Sequence, residues 1–92
     1  MKVLYFAWVK EKVGLAEETV SPPADVTTVE QLMKWLADRS PGHKAAFTDT
    51  RSIKAALDRV HMPLSSRIAG VQEVAFFPPV TGGLEAAVRL TP

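Results

Sequence analysis

Ninety-two residues, 47% of them hydrophobic, make one small domain that buries about 60–65% of its unfolded surface around a single core and leaves no room for a large active site. A net charge of +1 argues against a nucleic-acid partner, which normally shows as a strong basic excess. With no cysteine there is neither a disulfide framework nor thiolate chemistry. No apolar run reaches membrane-spanning length, and strand-forming residues stand where a secretory leader would need its basic and apolar segments. The expectation is a cytoplasmic protein that binds neither membrane nor nucleic acid.

Lys2 to Val9 reads as the first strand. Val3, Tyr5, Ala7 and Val9 lie on one alternating face and Leu4, Phe6 and Trp8 on the other, so both faces want cover. Lys10 to Gly14 is a polar connector whose glycine suits a turn or a helix C-terminus. Leu15 to Ser21 reads as a second strand, polar enough at Glu17 and Glu18 for a sheet edge, and Pro22-Pro23 ends it. Glu17 and Glu18 point to opposite faces and so form no acid-base pair.

The clear helix begins near Thr27 or Thr28 and runs to about Arg39. A capping box is available in either register, Thr27 with Glu30 or Thr28 with Gln31. Val29, Leu32, Met33 and Leu36 make one apolar stripe, with Trp35 packing at its boundary. Ser40-Pro41-Gly42 ends the helix, and Ala45, Ala46 and Phe47 suit a short helical turn plugging one end of the core. Thr48-Asp49-Thr50 reads as a turn. Ile53 to Asp58 is a third strand, and Arg59 to Leu64 a short irregular one interrupted by Pro63.

The chain culminates in Glu73 to Gly83, E-V-A-F-F-P-P-V-T-G-G. Val74 to Phe77 has the β-branched and aromatic content of a buried strand. Pro78 and Pro79 lack amide hydrogens and fix φ, so the chain leaves the sheet in a stiff, extended direction. Val80, Thr81, Gly82 and Gly83 offer almost nothing to pack, and two glycines leave a backbone thin enough to thread a narrow channel. The element order gives an α+β fold, a mixed sheet with one main helix packed on one face. Val3, Tyr5, Val74 and Phe76 are assigned to the helix side. Phe6 and Phe77, with Leu4, fall on the uncovered side, which is expected to dock on a partner. His61 belongs to that partner face or to solvent, although its segment could instead fold over the face.

From Met1 to Gly83 the chain resembles the MoaD/ThiS family of ubiquitin-like β-grasp sulfur carriers, in its molybdopterin synthase small-subunit branch. The resemblance rests on K-V-L-Y-F-A at Lys2 to Ala7, T-V-E-Q-L at Thr28 to Leu32, and above all the eleven residues from Glu73 to Gly83. It implies that the Gly83 carboxylate is activated as an acyl-adenylate by an ATP-dependent enzyme and converted by a sulfurtransferase system to a thiocarboxylate. It also implies that Pro78 to Gly82 thread this end into the large subunit of a heterotetrameric molybdopterin synthase, where sulfur passes to cyclic pyranopterin monophosphate. General acid and base groups would come from the large subunit, so the chain alone is not an enzyme. No bound cofactor and no metal are expected; His43 and His61 have no ligands at metal spacing.

Two features depart from the family pattern. Leu84 to Pro92 follow Gly83 and tie its carboxyl into a peptide bond, as a propeptide, the opening of a fused large subunit, or an untemplated tail. Leu57-Asp58-Arg59 stands where many relatives carry Val-Asn-Gln. The competing readings are a thiamine-type sulfur carrier, a modifier conjugated to lysines through Gly83, and an interaction module whose blocked tail does no chemistry.

Overall fold

The computed structural model describes residues 1–48 and 50–79. The first apolar run is only half a strand. Strand β1 spans Lys2–Tyr5 and helix α1 spans Ala7–Val13, which corrects the expectation of a strand to Val9 and a polar connector after it. Strand β5, Glu73–Phe77, runs parallel to β1 in register from Lys2 opposite Glu73 to Tyr5 opposite Phe76. After the Phe6 amide has bonded the Phe76 carbonyl, the neighbouring chain becomes Pro78-Pro79, which has no N–H to give. β1 therefore has nothing left to pair with. Ala7, at φ 54, turns the chain, and Val9 and Val13, one helical turn apart, enter the core. Gly14, at φ 89, closes the helix by donating its N–H to the Lys10 carbonyl, the conformation a helix C-terminus asks of glycine.

Strand β2 is Glu17–Thr19, antiparallel to β1 at the sheet edge, as its two glutamates suggest. The main helix, α2, is Val29–Ala37. Thr28 caps it, its Oγ1 accepting from the Gln31 amide at 3.2 Å. The return bond goes one residue further back than a standard capping box: Gln31 Oε1 accepts from the amide and hydroxyl of Thr27 at 2.7 and 2.9 Å. Val29, Leu32, Met33 and Leu36 are all fully buried, and Trp35 is half-buried beneath the Arg39 guanidinium, 5.2 Å from its ring centre. α2 stops at Ala37 with Asp38 as its C-terminal cap, short of the expected Arg39, and Ser40-Pro41-Gly42 instead starts α3, Pro41–Ala46, because Ser40 Oγ accepts from the His43 amide at 3.1 Å. One main helix is thus joined by two short ones, α1 and α3. Their side chains merge with those of Val3, Tyr5, Val74 and Phe76 into one core.

Strands β3, Lys54–Leu57, and β4, Val60–Met62, complete a five-stranded sheet of order β2-β1-β5-β3-β4 in which only β1 and β5 are parallel. This is the α+β, β-grasp arrangement, with the helices on one face.

The β3–β4 turn is tight, with Asp58 at φ 47 and Arg59 at φ 71. Such turns favour Asn-Gly because both residues need positive φ. Asp58 also reaches beyond the turn. Its Oδ1 accepts from the amides of Gln72 and Glu73 at 3.1 and 3.0 Å, while its own N–H donates to the Glu73 carbonyl. The turn thereby pins the start of β5. Asp58→Ala is expected to cost about 1–3 kcal/mol, since two amides lose their acceptor, whereas Asp58→Asn keeps the acceptor and stays near the parent. Arg59→Gly should gain about 0.5–1 kcal/mol by relieving left-handed strain, because the 3.8 Å pair between exposed Arg59 and half-buried Glu73 is long and worth little. Urea unfolding of the three variants checks this; an Asp58→Ala protein as stable as the parent would remove the pinning role.

Candidate functional site at the end of the central strand

β5 occupies the middle of the sheet, paired along its length with β1 on one side and β3 on the other. Whatever follows Phe77 is therefore anchored in the best-tethered strand of the domain. Pro78 is half-buried and Pro79 exposed, so the last described residues reach the surface directly after β5. Val80, Thr81, Gly82 and Gly83, the rest of the expected tail, and Leu84 to Pro92 beyond them lie outside the described residues.

The strand register decides what surrounds this end of β5. Leu4 and Ala56 both face Ala75, Lys54 faces Phe77, and Ala56 faces His61, so these side chains share the face away from the helices. Ala56, Ala75 and Phe77 form a second apolar cluster there, flanked by half-buried Leu4 and Phe6. The expected side assignment of Leu4, Phe6 and Phe77 is what the sheet shows. The expected exposure of Phe77 is not, since it retains only 1% of its surface. The exposed His61 ring tilts over it at 5.0 Å, and its β-neighbours pack beside it. Of the three residues read as a partner face, Phe6 and His61 remain accessible and Phe77 is already part of the fold. Beside this end of β5 lies an open cleft of about 710 Å³, bounded by Phe77 and Pro79, the start of β3, and β4 with His61 and Met62.

On the helix side stands a polar cluster that sequence reasoning missed. Glu18 Oε2 accepts from the Tyr5 hydroxyl at 2.7 Å and lies 2.6 Å from His43 Nε2, while Oε1 meets Arg39 at 3.4 Å. The other ring nitrogen of His43, Nδ1, shares a hydrogen bond with the Ser40 hydroxyl, 2.7 Å away. The spacing of Ser40 and His43, cap and third helical residue, was the signal available. His43 is 5% exposed, so the cluster holds the edge strand β2 against the α2–α3 corner. His43 and His61 thus lie on opposite sides of the sheet.

This cluster sets a pH dependence. Burial works against the Glu18 charge but is outweighed by hydrogen bonds from His43 and Tyr5 and by the charges of His43 and Arg39, so its carboxyl titrates below the usual range. Tyr5 is pushed well above the ordinary phenol range, first by burial and then by the Glu18 carboxylate. A depressed carboxylate stabilises the fold above its unfolded-state value, and that contribution disappears as pH falls through the folded-state value; a raised phenol stabilises below about pH 10 and its contribution declines above it. The melting temperature should therefore fall on both limbs, and Glu18→Gln should flatten the acid limb. An unchanged acid limb in Glu18→Gln would remove Glu18 as its source.

Residues 3–83 match the sequence model of the ThiS family. The chain belongs to the ThiS family. Among curated relatives of this ThiS-family chain, a molybdopterin synthase sulfur carrier subunit of Escherichia coli (strain K12) is 40% identical over 83 residues, covering 90% of this chain and 99% of that one. The subunit of the same name from Haemophilus influenzae is 34% identical over 84 residues, with coverage of 90% and 99%. The crystal structure of SAMP1 from Haloferax volcanii superimposes with a TM-score of 0.65 at 24% identity, over 90% of this chain and 98% of that one, which shows the shared ubiquitin-like fold. Among the described residues no helix is long and apolar enough to cross a membrane.

Proposed function

We propose that this chain is the sulfur-carrier subunit of a molybdopterin synthase and works in the cytoplasm through the carboxyl group of Gly83. The observation that supports this most is the family match, which ends at Gly83, with relatives of that name matched over nearly their whole length. The fold supports the division of labour. A tail that follows a central strand through two prolines is carried at a fixed place on a rigid body, so a second protein can dock on the body and receive the end.

The chemistry begins with release of the carboxyl. Leu84 follows Gly83, so water must add across the Gly83–Leu84 amide, leaving a carboxylate on Gly83 and an amine on Leu84. This holds for a propeptide and for a fused large subunit alike. A carboxylate is a poor electrophile. An ATP-dependent activating enzyme joins it to AMP with loss of pyrophosphate, and a sulfurtransferase system then displaces AMP to leave the thiocarboxylate. Residues Pro78 to Gly82 thread this end into the large subunit, where sulfur passes to cyclic pyranopterin monophosphate. Glycine at the last position keeps a Cβ out of the attack path. Phe6 and His61 contact the large subunit in the assembled heterotetramer, with Phe77 supporting them from beneath.

The test compares the full chain with a version ending at Gly83, each incubated with activating enzyme, ATP and a sulfur source and weighed by intact mass spectrometry. The shortened form is expected to gain the mass of sulfur replacing oxygen, and the full chain to gain nothing until residues 84–92 are removed. With the large subunit, the loaded form should yield molybdopterin and should not support thiazole formation. A shortened form that takes up no sulfur, or that becomes linked to lysines instead, would overturn the proposal.

A further inference from the structure

We infer that Lys54, assisted by His61, forms an ionic docking element beside the tail exit that recognises a carboxylate on the protein receiving the tail. The inference rests on the carrier reading above and adds the chemistry of the partner's contact surface.

The open face is electrically lopsided. At the end far from the exit its cations are paired, Lys2 with Glu17 at 3.6 Å and Arg59 with Glu73 at 3.8 Å. At the exit end, Lys54 stands directly opposite Phe77 across the β3–β5 pair and shares its face. Lys54 is exposed and makes no ion pair among the described residues. The described residues lining the exit cleft include Arg51, Lys54 and His61 and no Asp or Glu. His61 adds an imidazole held over Phe77, and Met62, 40% exposed, supplies apolar surface. A site of this kind suits an acidic side chain set in an apolar surround, because the cation steers the encounter and fixes orientation while the apolar contact excludes water.

Position chooses the occupant. Lys54 lies opposite the last residue of β5, so a protein that takes up residues 80–83 must bring its surface past the Lys54 ammonium. In the carrier reading that protein is the large subunit of molybdopterin synthase, which must then present a carboxylate at the mouth of its tail pocket.

The experiment titrates the Gly83-ended chain, its Lys54→Glu and Lys54→Gln variants and Phe6→Asp against the large subunit of the same organism by calorimetry. Each is measured at about 50 mM and about 500 mM salt, which brackets weak and strong screening. Lys54→Glu is expected to bind about tenfold or more weakly at low salt through like-charge repulsion. Lys54→Gln should fall between it and the parent, and both should lose much of the parent's salt dependence. Thermal melts of the Lys54 variants should match the parent, since the side chain is exposed. If Lys54→Glu binds like the parent while Phe6→Asp binds weakly, the ionic element is wrong and the carrier reading stands. If the parent itself does not bind the large subunit, both fail.

Discussion

Phe77→Asp is expected to unfold the domain, not merely to loosen a complex. Phe77 lies on the sheet face opposite the helices, where an aromatic side chain would ordinarily suggest a surface kept for a partner, yet it is 1% exposed within the chain. Removing a buried phenyl ring costs about 3–5 kcal/mol, and placing an unpaired carboxylate there adds several kcal/mol unless it takes up a proton. Against a total stability of about 5–15 kcal/mol, the sum leaves little or no folded protein. Phe6→Asp should behave differently. Phe6 is half-buried at the margin of the same cluster, so its variant should keep the fold and reveal any docking role cleanly. Circular dichroism melts of the two variants decide the matter. A Phe77→Asp protein melting within a few degrees of the parent would show that the ring's burial contributes little.

Gly42→Ala is the other substitution with a large expected cost. A Cβ at Gly42 would stand 2.5 Å from the Lys12 carbonyl oxygen and 3.0 Å from that of Val13, so the first turn of α3 touches the last turn of α1 backbone to backbone. Carbonyls cannot rotate aside as a flexible side chain can. The two helices must separate, opening the core where Val13 and Ala46 are buried. A loss of about 1–3 kcal/mol is expected, more than the gain of about 1 kcal/mol that alanine's helix propensity offers over glycine. Gly14 provides the contrast. It has positive φ and nothing within 4 Å of an added Cβ, so Gly14→Asn, which tolerates that conformation, should stay close to the parent, while Gly42→Asn should be as damaging as Gly42→Ala. Equal melting temperatures for parent and Gly42→Ala would show that the helices can shift apart at no cost.

Much of the fold and of the expected site could be read from local pattern. The α2 stripe of Val29, Leu32, Met33 and Leu36, its threonine cap, the edge character of Glu17 and Glu18, and the apolar strand ending in Pro78-Pro79 each depend on residues close in sequence, and helical or alternating periodicity states which face is buried. Period-two alternation likewise placed Phe6 and Phe77 together on the open face, because once two strands are adjacent their register carries side chains to one side or the other.

What the chain could not state locally was decided by neighbours far along it. Lys2 to Val9 is apolar in both registers, so its pattern suits a strand or a buried helix. Pairing ends at Tyr5 because the partner strand, some seventy residues later, runs into prolines. The helical signal was present in Val9, Val13 and Gly14, but it gains force only when β5 stops offering amides. The burial of Phe77 and the gathering of Tyr5, Glu18, Ser40 and His43 are likewise products of tertiary packing. The first depends on which side chains of three strands crowd one face, the second on an edge strand meeting a helix corner, and neither separation in sequence nor composition specifies that meeting. The sequence by itself determined a small α+β body whose apolar last strand runs into two prolines; only the assembled sheet determined which aromatic holds the body together and which cation, Lys54, stands opposite the end of that strand without an ion-pair partner among the described residues.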